Sequence, residues 1–291
     1  MTKKAVFFTD SDCELPLRIV KELKIDNLIK MPYTICGEEY FYDFGEDFDP
    51  KKFYALIREG NMPITSGLNA ELYKEYFEPF FKEGDDILYV SFSSKMSSTF
   101  ASMDIAVKEL QQKYPDAKFR RYDSKGISMA AGLVVYAAAK KFNEGVPNDE
   151  ICAFLDTFAP RTNACFSPQD LFHLKRGGRL SAVSAALGTI LQLKPIIRIN
   201  DEGKLYSAAK VNGRNKALKY IVDEVIANVT ETDKYPIIIL NADCPDDAEK
   251  IRQKLVLALP EAEIWSESVG PVIGTHCGPD TIAVCYVGSG R

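Results

Sequence analysis

The N-terminal half of this chain alternates between short apolar runs and longer segments whose apolar residues recur at helical spacing. Three such pairs follow one another: Ala5 to Thr9 with Leu15 to Leu23, Ile87 to Phe92 with Thr99 to Lys113, and Phe119 to Tyr122 with the small-residue segment Ser128 to Phe142. Short apolar runs of this kind are typical of buried strands. Their alternation with helices predicts a parallel sheet covered on both faces.

The pattern changes after about Pro160, where a β-hairpin replaces the strand–helix–strand order. The segment Pro195 to Ala209 predicts two strands joined by the turn Asn200 to Gly203. Further elements are predicted downstream: an amphipathic helix from Ala217 to Ile226, a strand at Ile237 to Leu240, a helix at Asp246 to Leu257, and strands near Ile264 and at Ile282 to Val287. We therefore predict an α/β protein of two domains, residues 1–160 with a parallel sheet and residues 161–291 with a mixed or antiparallel sheet.

Composition excludes several classes of protein. A chain of 291 residues that is 46% hydrophobic can bury a large core, and its formal charge of −5 gives no basis for binding a phosphate backbone, so nucleic acid is not expected as a partner. Seven scattered cysteines without a CxxC pair, and two histidines about a hundred residues apart, predict neither a disulfide framework nor a metal site. Because no apolar run approaches the roughly 20 residues that cross a bilayer, we predict a soluble, cytoplasmic protein.

Polar side chains follow three of the predicted strands. They lie in Thr9 to Asp12, in Ser91 to Thr99 and at Asp123-Ser124, and the second stretch has six hydroxyl residues in nine positions. In open α/β sheets, ligands bind outside the carboxyl ends of the strands. Ser97 or Ser98 is expected to cap the following helix, and the same hydroxyls with free helix-start N–H groups could hold an anion.

Three other segments are candidates for function. Thr65-Ser66, upstream of the predicted helix cap Asn69, is either a simple turn or a second pair of ligand hydroxyls. The stretch from Gly270 to Asp280 is rich in glycine and proline, which predicts a shaped loop around His276. Gly177 and Gly178 are expected to bend the chain so that Arg176 and Arg179 reach an acidic group or a carbonyl, whereas His173 is expected to pack within a helix.

Taken in order, these stretches resemble the DegV family of bacterial fatty-acid-binding proteins. The matching segments are Thr9-Asp10-Ser11 with Leu15-Pro16, Thr65-Ser66, Ser93 to Thr99, Asp123-Ser124, Leu174 to Leu180, Leu193-Lys194-Pro195 and Gly274 to Pro279. The resemblance implies a two-domain α/β protein with one fatty acid, such as palmitate, stearate or oleate, held between the domains. It implies no cofactor, no metal and no catalytic residue.

The resemblance also implies roles for particular residues and partners. Thr65 and Ser97 would bind the carboxylate, with Ser66, Ser94, Ser98 and His276 nearby and Arg176 as a weaker assignment. Some members deliver the lipid to a dihydroxyacetone-kinase-like fatty acid kinase, which phosphorylates the carboxylate, and transient membrane contact is a further expectation. This chain departs from the family pattern at three positions: Ser98 and Asp280, where glycine is usual, and Gly67-Leu68-Asn69, which lacks a common proline.

Other interpretations are open at this stage. Asp10 and Asp12 after an apolar strand are similar to the DxD start of magnesium-dependent haloacid-dehalogenase phosphatases, although Glu14 stands where threonine or valine is expected. A serine hydrolase is disfavoured because no GxSxG occurs. A non-enzymatic protein-interaction module shares the lack of catalytic groups. Four apolar residues could line a lipid tunnel or pack an ordinary core: Leu187, Ile190, Leu191 and Leu193.

Overall fold

The structure is a computed structural model that describes residues 4–179 and 193–291. The strands are β1 Ala5–Asp10, β2 Asn27–Ile29, β3 Pro32–Ile35, β4 Glu38–Phe41, β5 Ile64–Thr65, β6 Asp86–Ser91, β7 Lys118–Asp123, β8 Thr162–Ser167, β9 Leu193–Ile199, β10 Leu205–Asn212, β11 Ile237–Asn241, β12 Ile264–Ser268 and β13 Ile282–Val287. The helices are α1 Leu17–Glu22, α2 Pro50–Arg58, α3 Ala70–Lys82, α4 Thr99–Lys113, α5 Met129–Asn143, α6 Asn148–Phe158, α7 Phe172–Arg176, α8 Arg214–Asn228, α9 Pro245–Ala258 and α10 Pro271–Cys277. Short 3-10 helices span Ser11–Cys13 and Ala159–Arg161.

The first sheet is parallel and has the strand order β2-β1-β6-β7. Five of the six residues of β1 are buried, as are the last five of β6, because helices cover the two central strands on both faces. The predicted parallel sheet of the N-terminal half is therefore confirmed.

The second sheet is mixed, with the order β10-β9-β8-β13-β11-β12. Its pairs are antiparallel except for β11 with β12, and β9 and β10 form the predicted hairpin. Helices α8 and α9 cover one face and close a core around Ile221, Ile239 and Tyr286. The α/β fold class is confirmed, whereas the domain boundary at residue 160 stays a prediction, since one apolar cluster spans both sheets.

Helix α5 lies between the two sheets and packs on β1 and β6 of one and on β8 and β13 of the other. Ten of its residues are buried, including Gly132 and five alanines. Small side chains allow the two sheets to approach the same helix from opposite sides. The face of the second sheet that α8 and α9 leave uncovered therefore lies close to the carboxyl ends of the strands of the first sheet.

A three-stranded sheet, ordered β4-β3-β5, and helix α2 lie beside this framework. All four residues of β4 are exposed, so the alternation that would have predicted a strand is missing. Tyr54 of α2 donates a hydrogen bond to the carbonyl of Val269 over 2.9 Å, and Arg58 forms ion pairs with Asp243 and Asp280. These contacts fix the small sheet against the C-terminal half.

The segment Gly270 to Asp280, predicted to be a loop, contains helix α10. The prediction was wrong because Pro271 occupies the first helical position, where its missing N–H has no intrahelical partner to lose. Asn69, by contrast, caps α3 as predicted, with Oδ1 accepting from the N–H of Leu72 at 2.9 Å. Among the described helices, none combines the length and hydrophobicity that a bilayer crossing requires.

Candidate ligand-binding site

A cavity of about 340 Å³ lies where the strand ends of the parallel sheet face the mixed sheet. Most of its wall is apolar and comes from both halves of the chain: Met31, Phe92, Met96, Ile127, Ala164, Phe166, Leu174, Leu205, Leu240, Val269, Val272, Ile273, Ala283 and Cys285. The polar lining residues include Asp12, Thr65, Ser66, Ser97, Ser98, Ser128, Arg179, His276 and Thr281. A volume in the range of about 300–1,000 Å³ with few polar groups is typical of a small-molecule site.

Five of the seven residues predicted for the site line this cavity: Thr65, Ser66, Ser97, Ser98 and His276. Thr65 ends β5 and His276 lies in the last turn of α10, and Oγ1 of Thr65 is 2.8 Å from Nε2 of His276. This contact joins residues that are 211 positions apart, so the fold brings the two predicted segments together.

His276 is neutral at physiological pH. Burial, together with the positive charges of Arg179 and Arg176, lowers the pKa of its imidazole to about 3. Nδ1 has no hydrogen-bond partner among the described residues. The ring therefore acts as a hydrogen-bonding group toward Thr65, without contributing a positive charge.

Ser97 and Ser98, which precede α4, differ in their hydrogen bonds to the start of this helix. Of the two serines predicted as alternatives for the cap, Ser98 stands at the cap position, but its side chain makes no capping hydrogen bond. Ser97 Oγ instead accepts from the N–H of Thr99 at 3.2 Å. That bond occupies one acceptor site of the Ser97 hydroxyl and leaves its proton to be donated elsewhere.

The other two predicted site residues, Ser94 and Arg176, are not among the lining residues, and their role in binding stays a prediction. Ser94 Oγ donates to Oδ2 of Asp123 at 2.6 Å, because the carboxylate at the end of the neighbouring strand β7 captures it. Arg176 Nη2 donates to the carbonyl of Pro63 at 2.7 Å. The prediction that Arg176 reaches a carbonyl is confirmed, but its side chain supports the segment before Thr65 and does not form the cavity wall.

Arg179 lines the cavity and was not included among the predicted site residues. Its guanidinium donates to the carbonyls of Met96 and Gly177, and burial lowers its pKa while the charge of Asp12 opposes that change. Two neighbouring arginines around Gly177-Gly178 were a visible signal in the sequence. Which of Arg176 and Arg179 lines the cavity depends on where α7 ends, and the spacing of residues in the sequence does not show this.

The carboxyl groups after β1 do not form an accessible acid pair. Asp10 is fully buried and accepts hydrogen bonds from Tyr89 Oη and from the N–H groups of Asp12 and Phe92. Burial raises its pKa to about 7. A carboxylate with three internal donors and no exposed surface is a structural element, and nothing in the described residues supports the phosphatase hypothesis.

Glu14 is a second structural carboxyl group. It accepts from Ser128 Oγ and from the N–H of Gly270, and thereby joins the loops before α5 and α10. Burial raises its pKa to about 8. Asp12, the third carboxyl of this segment, lines the cavity, and its pKa is raised well above the usual range by burial and by the nearby Asp10 and Glu14.

Other sequence features have defined positions. Ser98 does line the cavity, whereas Asp280 is absent from the lining and its charge is paired with Arg58 at 2.9 Å. Leu193 begins β9 opposite Asn212, and Leu187, Ile190 and Leu191 lie outside the described residues. Within residues 4–179 and 193–291, no group of three histidine, cysteine or acidic side chains is arranged to hold a metal ion.

Fold and cavity together define an α/β protein that encloses a largely apolar site with hydroxyl and imidazole groups in its wall. The chain belongs to the DegV family: the family model described as "Uncharacterised protein, DegV family" matches residues 4–289. A DegV domain-containing protein of Clostridium perfringens (strain 13 / Type A) is 38% identical over 286 residues, which cover 98% of both chains.

Solved structures share the fold over nearly their whole length. DegV of Bacillus subtilis, described as a fatty acid binding protein, superposes with a TM-score of 0.83 at 25% identity, covering 99% of this chain and 100% of that one. The fatty acid binding DegV family protein SAG1342 of Streptococcus agalactiae gives a TM-score of 0.84 at 25% identity, with 99% of each chain covered.

Proposed function

We propose that this protein is a non-enzymatic carrier that binds one long-chain fatty acid in the cavity between its two sheets. The observation that carries the proposal is the contact between Thr65 and His276 at the polar end of an otherwise apolar enclosure. The names of similar proteins from Bacillus subtilis and Streptococcus agalactiae, both described as fatty acid binding, support the same ligand class.

The apolar wall would supply most of the affinity. A saturated sixteen-carbon acid has about fourteen methylenes, and burial of each is worth roughly 0.8 kcal/mol, which gives on the order of 11 kcal/mol before the costs of association. Ligands such as palmitate, stearate or oleate fit this description. An apolar wall alone does not determine the orientation of the fatty acid in the cavity.

The polar end would determine the orientation. A buried carboxylate needs hydrogen-bond donors in place of water. Thr65 and Ser97 offer such donors, with Ser66 and Ser98 beside them, and Arg179 supplies positive charge from the cavity wall. His276 Nε2 is hydrogen-bonded to Thr65 and so orients the Thr65 hydroxyl group. Since His276 is neutral, Arg179 is the group that balances the charge of one carboxylate among the described lining residues.

The proposed carrier role also involves a membrane and a partner enzyme. We propose that the protein acts in the cytoplasm, exchanges its ligand during transient membrane contact and presents the carboxylate to a fatty acid kinase. Hydroxyl groups support this role, because they hold a carboxylate without the bidentate grip of an arginine. ATP-dependent conversion of bound fatty acid to acyl phosphate by a purified kinase, absent with free fatty acid, would test the last step.

Lipid extraction tests the central proposal. The purified protein should release a stoichiometric fatty acid on denaturation, identified by mass spectrometry. A Thr65→Val/Ser97→Ala double variant should retain less of it, whereas Ser94→Ala, which removes a hydroxyl bonded to Asp123, should retain the wild-type amount. An empty wild-type protein that also fails to bind added fatty acid would contradict the proposal.

A further inference from the structure

Asp12 differs from the two other carboxyl groups of its segment. Its backbone N–H donates to Asp10 Oδ1 at 3.0 Å, and this bond holds the 3-10 turn Ser11–Cys13 against the cavity. Only 4% of the residue is exposed, and it is part of the cavity wall. Its Oδ1 has no hydrogen-bond partner among the described residues, although Asp10 and Glu14 are fully engaged.

A buried polar atom without a partner is destabilising, and proteins usually satisfy it with another side chain, with water or with a ligand. Asp12 shares the wall with Met31, Phe92 and Ile127, which offer no hydrogen bond. A chain of methylenes lying against this wall would leave the carboxyl group unsatisfied. A ligand with an oxygen at the right carbon would satisfy it.

The charges around Asp12 limit the kind of ligand group. Burial, more than the nearby Asp10 and Glu14, raises the pKa of the Asp12 carboxyl group well above its usual range, while the charge of Arg179 opposes that change. In its neutral form the carboxyl group can both donate and accept a hydrogen bond. A second carboxylate on the ligand would have to be buried here at the same cost in lost hydration. A cationic group would face Arg179 in the same cavity. A neutral hydroxyl group meets neither obstacle.

We propose that Asp12 is a specificity-determining residue that lets the cavity select fatty acids carrying a hydroxyl group on the acyl chain, through a hydrogen bond between that hydroxyl and the Asp12 carboxyl group. The inference rests on the proposed function, because it assumes that an acyl chain occupies the cavity. It goes beyond that function in assigning a preference among acyl chains to one residue, Asp12.

Competition binding with positional isomers tests the inference. Delipidated protein would be titrated with stearic acid and with hydroxystearic acids that carry the hydroxyl at carbons from the second to the twelfth. We expect one isomer, or two adjacent ones, to bind about tenfold more tightly than stearic acid, since a hydrogen bond to an otherwise unsatisfied buried group is worth about that factor. No preference for any isomer in the wild-type protein would overturn the inference.

Two variants separate the hydrogen bond from general effects on the cavity. Asp12→Asn keeps a donor and an acceptor and should retain the preference, whereas Asp12→Leu should lose it and bind stearic acid at least as well as the wild type. An unchanged preference in Asp12→Leu would overturn the assignment to Asp12. If the protein binds stearic acid and the hydroxystearic acids equally well, the inference fails but the carrier role stands. If it binds none of these acids, the proposed function itself is refuted.

Discussion

The imidazole of His276 lies against the backbone of Gly177, so closely that a Cβ atom at residue 177 would be 2.3 Å from Nδ1. The reverse contact also exists: a Cβ atom at Gly278 would be 2.3 Å from Cδ2 of His173. Each of the two histidines of the chain thus rests on the glycine that follows the other's helix. This reciprocal packing of α7 and α10 fixes the ring that contacts Thr65.

Substitution of Gly177 by alanine should therefore impair fatty acid binding. The added methyl group must displace the His276 ring, which breaks its hydrogen bond with Thr65. Thr65 is then no longer oriented toward the carboxylate, and the loss of one hydrogen bond to that charged group lowers affinity by roughly 10- to 100-fold. Gly290→Ala is the control, because a Cβ atom there meets nothing within 4 Å. Equal dissociation constants for the two variants in a fluorescent fatty acid displacement assay would contradict this account.

The two neighbouring arginines should differ in their effect on binding. Arg179→Met removes the positive charge from the cavity wall and should weaken carboxylate binding by roughly tenfold, as expected for a partly buried charge pair. Arg176→Met, which removes a hydrogen bond to Pro63 outside the wall, should change affinity by less. Isothermal titration with stearate would measure both, and the opposite order would restore Arg176 as the site residue.

Stability should depend on pH through Glu14. Its pKa is raised to about 8 in the folded protein against 4.5 as the ordinary value, so between these pH values the folded state holds a proton that the unfolded state has released. The free energy of unfolding should then fall as pH rises, with Glu14 contributing about 1.4 kcal/mol per pH unit in that window.

Glu14→Gln should remove that contribution, because glutamine does not titrate, can accept from the N–H of Gly270 through Oε1 and can donate from its NH2 group to Ser128 Oγ. Denaturant unfolding at several pH values between 5 and 8 would show a shallower dependence for this variant, while the exposed Glu22→Gln should follow the wild type. Parallel curves for Glu14→Gln and wild type would show that Glu14 does not titrate in this range.

The hydroxyl of Tyr54 should matter more for stability than that of Tyr40. Tyr54 is fully buried and bonded to the carbonyl of Val269, so Tyr54→Phe leaves a buried acceptor without its donor and should cost about 1–3 kcal/mol. Tyr40 is 41% exposed and bonded to Glu38 at the surface, so Tyr40→Phe should change the free energy of unfolding by less than about 0.5 kcal/mol. Thermal unfolding of both variants would compare them.

Local patterns in the sequence predicted the framework well. Helix α4 spans the predicted residues 99–113, and the turn at residues 200–203 joins antiparallel strands, since hydrophobic period and turn chemistry act over a few residues. The small sheet was missed because β4 is exposed throughout. Helix α10 was not predicted because its segment is rich in proline and glycine, which usually interrupt helices. Pro271, however, occupies the first helical position, where proline is tolerated.

The site was predicted less completely because long-range contacts decide which polar groups face the cavity. Ser94 and Ser97 belong to the same hydroxyl-rich stretch, yet Asp123, 29 residues from Ser94, draws Ser94 away. Arg176 and Arg179 are equivalent by composition, and only the end of α7 separates them. Asp12 was considered as a phosphatase residue, and its place in a cavity wall depends on the second sheet, which local sequence does not report.

Helix α5 has a mechanical consequence for how any ligand enters. Because both sheets pack on this one helix, and ten of its residues are buried, a hinge motion that spread the sheets apart would expose apolar surface on at least one side of it. Spreading the two sheets apart is therefore expected to be costly in free energy. Entry and release of the proposed fatty acid are then expected to take place through local rearrangement at the rim of the cavity, with the two sheets keeping their positions on α5.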